Sequence, residues 1–456
     1  MMEISGKKIS IIGAEKSGIG AAKLIRKSGG IPFISDSGQE EKLKDSISAL
    51  EELGFDFEIG KHSDRVFNCE LMIASPGVPS NAEVMVKARE KKIKLISEIE
   101  LASAFCKGNI IAITGSNGKT TTTTLCNYVL NTSGLKSYTA GNIGVAFSEI
   151  ALDIKENEFV SLEVSSFQLD LIDTFKPKVS VVLNITPDHL NRYEYKFENY
   201  ISSKLRIYKN QDRDDFVILN HDDKTLMDSV VKLSEGQRGF ESSDFYFSLS
   251  SSQSNGCFVS GDKIIFNNNG KTLFTCNVKE VNLKGEHNLA NAMAVISIAK
   301  LFDADNEKII EALRSFQAIE HRLELVREIG GVKFINDSKA TNVDSVWYAL
   351  RSFNEPIFLI LGGQDKGNDY NQIKDLVVER VVKIFAIGSS AEKVFNFFHL
   401  LVKVEIKRTM EDAVLAASKE ARQDEVVLLS PACASFDMFN DYEQRGKVFK
   451  EVVNRL

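Results

Sequence analysis

"IIAITGSNGKTTTTTLC", residues 110–126, runs from an apolar, strand-like segment through a Gly-Ser-Asn-Gly turn into a lysine and five threonines. A strand, a glycine-bearing turn and a helix opened by Lys-Thr make a phosphate cradle, because unpaired backbone N–H groups and the positive end of the helix dipole converge there. Gly115 and Gly118 let the backbone approach phosphate oxygens, Lys119 reaches the β- and γ-phosphates, and the Thr120 hydroxyl is placed to ligate Mg2+. The full Walker pattern is not met at its first position, where Ile113 stands in place of glycine. The plainer alternative is a tight strand-to-helix turn with a solvated lysine. Thr121 to Thr124 occupy the first helical turns, where β-branched side chains pack against a sheet.

At 456 residues the chain exceeds one ordinary core, and about 150 residues per domain points to three domains. With 43% hydrophobic and 26% charged residues it reads as globular rather than disordered. The net charge of -7 argues against nucleic acid or an anionic membrane as the main partner. "MMEISGKKISIIG" has no apolar stretch before a small-residue cleavage site, and no run of about 18 apolar residues occurs. Cys69, Cys106, Cys126, Cys257, Cys276 and Cys433 are scattered without a Cys-x-x-Cys pair. Reduced thiols in a cytoplasm are expected, rather than a disulfide framework or a zinc cage.

Short apolar runs ending in glycine, serine or aspartate alternate with longer amphipathic segments, the pattern of parallel strands with crossover helices. One group holds "KISIIG", "IPFISD", "LMIASPG" and "KLIS"; a second "NIIAITG", "FVSLEVSS" and "VSVVLNIT"; a third "VKFINDS", "IFLILGG", "KIFAIGS" and "VVLLSPA". The expected fold class is α/β in three domains: N-terminal Rossmann-like over 1–97, a central P-loop-type ATPase domain with added antiparallel strands over 98–318, and C-terminal Rossmann-like over 319–456. Antiparallel hairpins are expected between 238 and 281, where aromatic and aliphatic residues alternate with serine and asparagine around Asn-Gly and Gly-Asp turns.

Near the N-terminus, "IIGAEKSGIG" sets Gly13, Gly18 and Gly20 after a strand, and Asp36 ends the next strand where a Rossmann fold holds a ribose. Glu15 stands where the dinucleotide pattern needs its second glycine and would oppose a pyrophosphate. A nucleotide-sugar in that crevice fits better than NAD.

Further motifs follow in order: "GNIG" (141–144), "LEVSSFQL" (162–169), "LNITPDHLNRY" (183–193), "SKLRIY" (203–208), "GEHNLANAMA" (285–294), "HRLE" (321–324), "NDSKATN" (336–342), "LGGQDKG" (361–367) and "LLSPACASFDMF" (428–439). With "TGSNGKT" they resemble the Mur ligases, the ATP-dependent amide-bond-forming enzymes of peptidoglycan precursor synthesis, over essentially the whole length. With "SPG" (75–77), the last three are most similar to the branch that adds D-glutamate to UDP-N-acetylmuramoyl-L-alanine.

The resemblance implies that ATP phosphorylates a carboxyl group to an acyl phosphate that an amine then attacks, with two Mg2+ ions offsetting the crowded charge. It assigns Gly115, Ser116, Asn117, Gly118, Lys119, Thr120, Thr121, Asn291, Arg322, Asp337 and Lys339 to ATP. Asp36, Ser75, Gly77, Asn142 and Gln168 are assigned to the UDP-sugar, and Thr341, Lys366, Ser435 and Phe436 to D-glutamate. Lys119, Lys204, His189 and Glu163 are the implied catalytic residues, and Thr120, Glu163, His189 and a CO2-derived carbamate on Lys204 the implied metal ligands. From the residues alone, Glu163 could equally be a solvated strand-end carboxylate, and Lys204 a helix-surface lysine. The family often has leucine where this chain has Phe436, and Gln364 sits in the glycine-rich loop, so the charge of the amino-acid pocket is better defined than its shape. A small-molecule enzyme acting as a monomer is implied, with domain closure assembling its site.

The rival readings are a sibling ligase adding another amino acid, a folylpolyglutamate synthase-like ligase, a nucleotide-binding sensor without turnover, and a Rossmann dehydrogenase. The amino-acid dependence of phosphate release separates the ligases from one another; acceptor-dependent ADP release and nicotinamide binding separate the other two.

Overall fold

The computed structural model describes residues 2–235, 242–283, 285–317 and 320–456. Strands β1 (Lys8–Ile12), β2 (Ile31–Asp36), β3 (Asp56–Ile59), β4 (Leu71–Ala74) and β5 (Lys94–Ser97) form a parallel sheet in the order β3-β2-β1-β4-β5. The chain winds one way from β1 to β3 and the other way from β4, so the order reverses beside β1. In open parallel sheets that reversal opens a crevice at the carboxyl ends of the strands.

The second sheet has the order β14-β13-β12-β11-β10-β9-β6-β8-β7. Its strands are β6 (Asn109–Thr114), β7 (Ser137–Gly141), β8 (Phe159–Glu163), β9 (Val179–Val182), β10 (Phe216–Asn220), β11 (Ser243–Ser248), β12 (Gly256–Ser260), β13 (Lys263–Asn268) and β14 (Lys271–Asn277). β12, β13 and β14 form the expected antiparallel hairpins. β11 instead pairs parallel with both β10 and β12. The reason lies in the turn after β11, where the Asp222 carboxylate gathers the Ser248 hydroxyl, the Leu249 N–H and the Ser250 hydroxyl, and draws the chain away from a hairpin return.

The third sheet, β15-β16-β20-β17-β18-β19, comprises β15 (Glu324–Ile329), β16 (Val332–Asn336), β17 (Ile357–Gly362), β18 (Val381–Ile387), β19 (Lys403–Ile406) and β20 (Val426–Leu429). Only the β15–β16 pair is antiparallel. Ile357, Leu359 and Leu361 pack with Val346 and Leu350 on one face, while Phe358 and Ile360 pack with Val414 and Phe449 on the other. Burial on both faces is why this strand reads as an unbroken apolar run. Each such side chain contributes roughly 1.5–3 kcal/mol.

Two compact units divide the chain: Met1–Pro187, Arg192–Asn282 and Ala290–Phe316 form one, and Asp188–Asn191, Leu283–Leu289 and Gln317–Leu456 the other. The first two sheets lie in the first unit and the third sheet in the second. Ser97, at the first expected domain boundary, is the last residue of β5. The boundary expected at 318 and the start of the 238–281 segment lie outside the described residues. Among the described residues no helix is long and apolar enough to cross a membrane.

Candidate active site

β6 delivers the chain into the loop 115–118, and helix Lys119–Thr132 leaves it with Gly118 as N-cap at φ 84°. Only glycine suits that position: the backbone is left-handed, and a Cβ would lie 2.7 Å from Asn291 Oδ1. Asn291, expected near the nucleotide, is thereby fixed against the loop. Ile113 is fully buried in β6, so the unmet Walker position belongs to the strand and its core. Thr121, Thr122 and Thr123 are buried against the sheet as expected, and Thr120 is half-exposed.

The end of β9 pins the loop. Ser116 N–H donates to the Asn184 carbonyl, Ser116 Oγ donates to the Thr186 carbonyl at 2.7 Å, and the Asn184 amide bonds both the N–H and the carbonyl of Asn117. The first helical bond runs from Thr122 N–H to the Gly118 carbonyl, so Thr120 and Thr121 point N–H groups out of the helix end without helical acceptors. Lys119 Nζ donates to the carbonyls of Gly115 and Ser116, both at 2.8 Å. Lys204, on helix Phe197–Leu205, is 1% exposed and donates to the same Gly115 carbonyl at 2.7 Å, with its ammonium over the Tyr200 ring. Lys204 is therefore no surface lysine.

Glu163 ends β8 and is buried. Its Oε1 accepts from the Asn142 amide at 3.1 Å, while Oε2 is buried with no partner. A buried carboxylate oxygen without a donor is costly unless a cation meets it. Among the described residues no three His, Cys, Asp or Glu side chains gather to hold a metal by themselves. The local chemistry fits Mg2+, which takes one or two carboxylates and completes its shell with phosphate oxygens and water.

A cleft of about 1020 Å3 opens at the carboxyl ends of the first sheet. Asp36, Ser75, Gly77 and Asn142, four of the five residues expected at the UDP-sugar, line it together. Gly13 stands at its floor at φ 104°, and a Cβ there would meet Ser75 Oγ at 2.7 Å. Asp36 accepts from the N–H groups of Ala14 and Gly38 at 2.8 and 2.7 Å. Gln168 is not among the lining residues: it is buried and closes a capping box with Ser165. Sequence reasoning missed Arg192, whose guanidinium donates to the carbonyls of Pro76 and Gly77 and stacks over Phe167, fixing the cleft's "SPG" wall.

In the second unit, Asp337 follows β16 and is fully buried, accepting from Ser430 Oγ at 2.8 Å and from Leu323 N–H. Burial pushes its carboxyl up to about 6, against the opposing pull of Arg322 and of these hydrogen bonds. Arg322 Nε is buried and unpartnered, a cation direction that suits an anionic ligand. Lys339 Nζ lies 3.2 Å from Tyr442 Oη. Backbone pairing of Gln364 with Ala434 joins the loops that carry Lys366 and Ser435. Lys366 Nζ meets Asp188 Oδ1 at 3.2 Å, and Asn342 holds the other Asp188 oxygen. His189, at φ 53°, follows directly, its N–H bonded to Asp188. Ser435 is buried, Phe436 is 69% exposed, and Thr341 is half-exposed in the loop after Lys339.

Arg445 was also missed. Fully buried on helix Tyr442–Asn454, it donates to Ser338 Oγ, the Ser338 carbonyl and the Cys433 carbonyl, tying the loop of Asp337 and Lys339 to that of Ser435. Burial lowers its guanidinium to about 10. Its signal was a lone arginine in phase with Phe449, Val452 and Val453 on a buried helix stripe.

The chain matches three family models in order: the MurD N-terminal domain over 8–84, the Mur ligase middle domain over 113–299, and the Mur ligase glutamate ligase domain over 321–433. It is 43% identical over 454 residues to the UDP-N-acetylmuramoylalanine–D-glutamate ligase of Christiangramia forsetii, covering 99% of this chain and 100% of that protein. It is 44% identical over 455 residues to the ligase of the same name from Cytophaga hutchinsonii, covering 99% of each. In fold it is similar to the UDP-N-acetylmuramate-alanine ligase of Thermotoga maritima, with a TM-score of 0.63 at 19% identity over 98% of this chain and 99% of that one. The MurF ligase of Thermotoga maritima in complex with ADP gives a TM-score of 0.60 at 16% identity, over 93% and 96%.

Proposed function

The chain belongs to the Mur ligase family, and from that premise we propose that it joins D-glutamate to UDP-N-acetylmuramoyl-L-alanine with ATP, releasing ADP and phosphate, in peptidoglycan precursor synthesis. The observation that carries this reading is the identity of 43% and 44%, end to end, with ligases of that name.

An amine does not displace hydroxide from a carboxylate in water, so the acid must first become an acyl phosphate. That step brings anion to anion, and fixed cations and aligned N–H groups are what lower its barrier. The loop 115–118, the N–H groups at the start of helix Lys119–Thr132, and Lys119 are the groups for ATP in the first unit, with Asn291 beside them. Asp337 suits a ribose, and Arg322 and Lys339 suit phosphate oxygens. The cleft lined by Asp36, Ser75, Gly77 and Asn142 suits the UDP-sugar. Lys366 offers a cation to a side-chain carboxylate of the incoming amino acid, with Thr341, Ser435 and Phe436 around it.

In the first unit Thr120, Glu163 and a carbamylated Lys204 would be the Mg2+ ligands, and in the second unit His189 is the candidate; bound Mg2+ supplies charge neutralisation to the phosphoryl oxygens. The bare Lys204 ammonium donates to Gly115, whereas a carbamate keeps one N–H and ends in two anionic oxygens, so modification would replace the cation with a metal-ligating group. A cytoplasmic location goes with this reading, because the substrates are small and water-soluble, and the reading takes the chain to act as a monomer.

The test is phosphate release with ATP and UDP-N-acetylmuramoyl-L-alanine against a panel of amino acids. Release with D-glutamate alone is expected. Release only with L-alanine, a diamino acid or a folate acceptor would overturn the reading.

A further inference from the structure

β9 lies between β10 and β6 in the second sheet, and its pairing with both ends at Val182, opposite Leu219 and Thr114. Leu183, Asn184, Ile185 and Thr186 run on past the strand, yet their backbone stays held from two sides. From the β6 side comes the phosphate loop: the Asn184 carbonyl accepts from Ser116 N–H, and Thr186 gives its N–H to Ser116 Oγ and receives that hydroxyl at its carbonyl. From the β10 side, side chains continue the ladder where the backbone stops. Asn220 Nδ2 donates to the Leu183 carbonyl at 2.9 Å, and Asp223 Oδ2 accepts from Ile185 N–H at 2.8 Å. The other Asp223 oxygen accepts from Leu226 N–H at 2.8 Å and caps helix Lys224–Glu235.

Ile185 is 1% exposed, so water cannot replace the carboxylate at its N–H. Burial pushes the Asp223 carboxyl up, against the bonds from Leu226 and Ile185 that favour its charge. Helix capping alone does not call for that desolvation cost, since serine or asparagine caps about as well. The second oxygen is accounted for by the β9 tip. On the reading of loop 115–118 as the ATP site, on which this inference rests, that tip sets where the phosphate-facing N–H groups stand. We propose that Asp223 and Asn220 are positioning residues for phosphoryl transfer: through Ile185 and Leu183 they fix the β9 tip to which Ser116 and Asn117 are pinned. The carboxylate of Asp222, between them, bonds instead the turn at Ser248, Leu249 and Ser250.

Asp223→Ser separates the two bonds, because one hydroxyl oxygen caps the helix and leaves Ile185 without an acceptor. Amide exchange and the Michaelis constants for ATP and for D-glutamate are measured on the full chain. Ser116 and Asn117 should exchange faster, and KM for ATP should rise about 5- to 10-fold, the worth of one hydrogen bond, with KM for D-glutamate unchanged. Asn220→Asp keeps the acceptor for Asp222 N–H but sets an oxygen against the Leu183 carbonyl, and should give the same pattern. Asp222→Ala should lower Tm and leave both constants unchanged. Wild-type exchange and an unchanged KM for ATP in Asp223→Ser, or an equal rise in Asp222→Ala, would overturn the proposal while leaving the ATP reading intact. Where Asp223→Ser does not fold, Asn220→Asp decides by the same measures. Wild-type amide shifts at 115–120 that do not respond to a non-hydrolysable ATP analogue would overturn the ATP reading of the loop, and this inference with it.

Discussion

Lys119 and Lys204 converge on one carbonyl, that of Gly115, at 2.8 and 2.7 Å. Two ammonium groups on a single acceptor repel each other, and an arriving polyphosphate relieves that repulsion by taking one of them.

Lys119 is the one expected to leave Gly115 for the nucleotide. Lys119→Ala should lower kcat by about 100-fold or more, as does loss of one electrostatic stabiliser elsewhere. Single-turnover phosphate release measures this, and near-wild-type turnover would remove the lysine from the mechanism.

Lys204→Ala separates the carbamate role from simple packing. If the modified side chain acts as a ligand, activity should fall and then recover partly on addition of short-chain carboxylates. Full activity without any additive would restrict Lys204 to holding the loop.

Arg445→Met leaves the Ser338 and Cys433 carbonyls buried without their donor. The chain should lose roughly 3 kcal/mol, read from urea unfolding. The Michaelis constant for the amino acid should rise as the Ser435 loop loosens. Arg445→Lys restores charge but not the planar fork, and should recover only part of either effect.

Asp337 carries a pH signature whose sign follows from its burial. Its carboxyl titrates near 6 when folded and at 3.8 in an ordinary setting, so between those values the folded state binds more protons than the unfolded. Stability from this group is present at low pH and falls as pH rises through that window, by about 3 kcal/mol. Asp337→Asn keeps an acceptor for Leu323 N–H and should raise Tm at pH 8 but not at pH 4, while weakening ATP. Equal Tm changes at both pH values would contradict the burial argument.

Most interior strands were legible because buried parallel strands are apolar on both sides, as "IFLILGG" at β17 and "NIIAITG" at β6 show, although the interior β10, "FVILN", was not singled out. The edge strands β3, β7, β15 and β19 were not singled out as strands. Half-solvated, they read "DFEI", "SYTAG", "ELVREI" and "KVEI", with no continuous apolar signal. The phosphate loop was legible since its residues are consecutive. Arg445 was not, because its acceptors at Ser338 lie 107 residues away. At Gln168 the Ser-x-x-Gln spacing of a capping box was present, and the structure shows that box formed.

The pinning of residues 116 and 117 to the tip of β9 has a thermodynamic corollary. A loop already ordered by its own protein surrenders little chain entropy when a ligand arrives, so nearly all the enthalpy of its contacts survives as affinity. Amide exchange at Ser116 and Asn117 should accordingly be slow before nucleotide is added and change little afterwards.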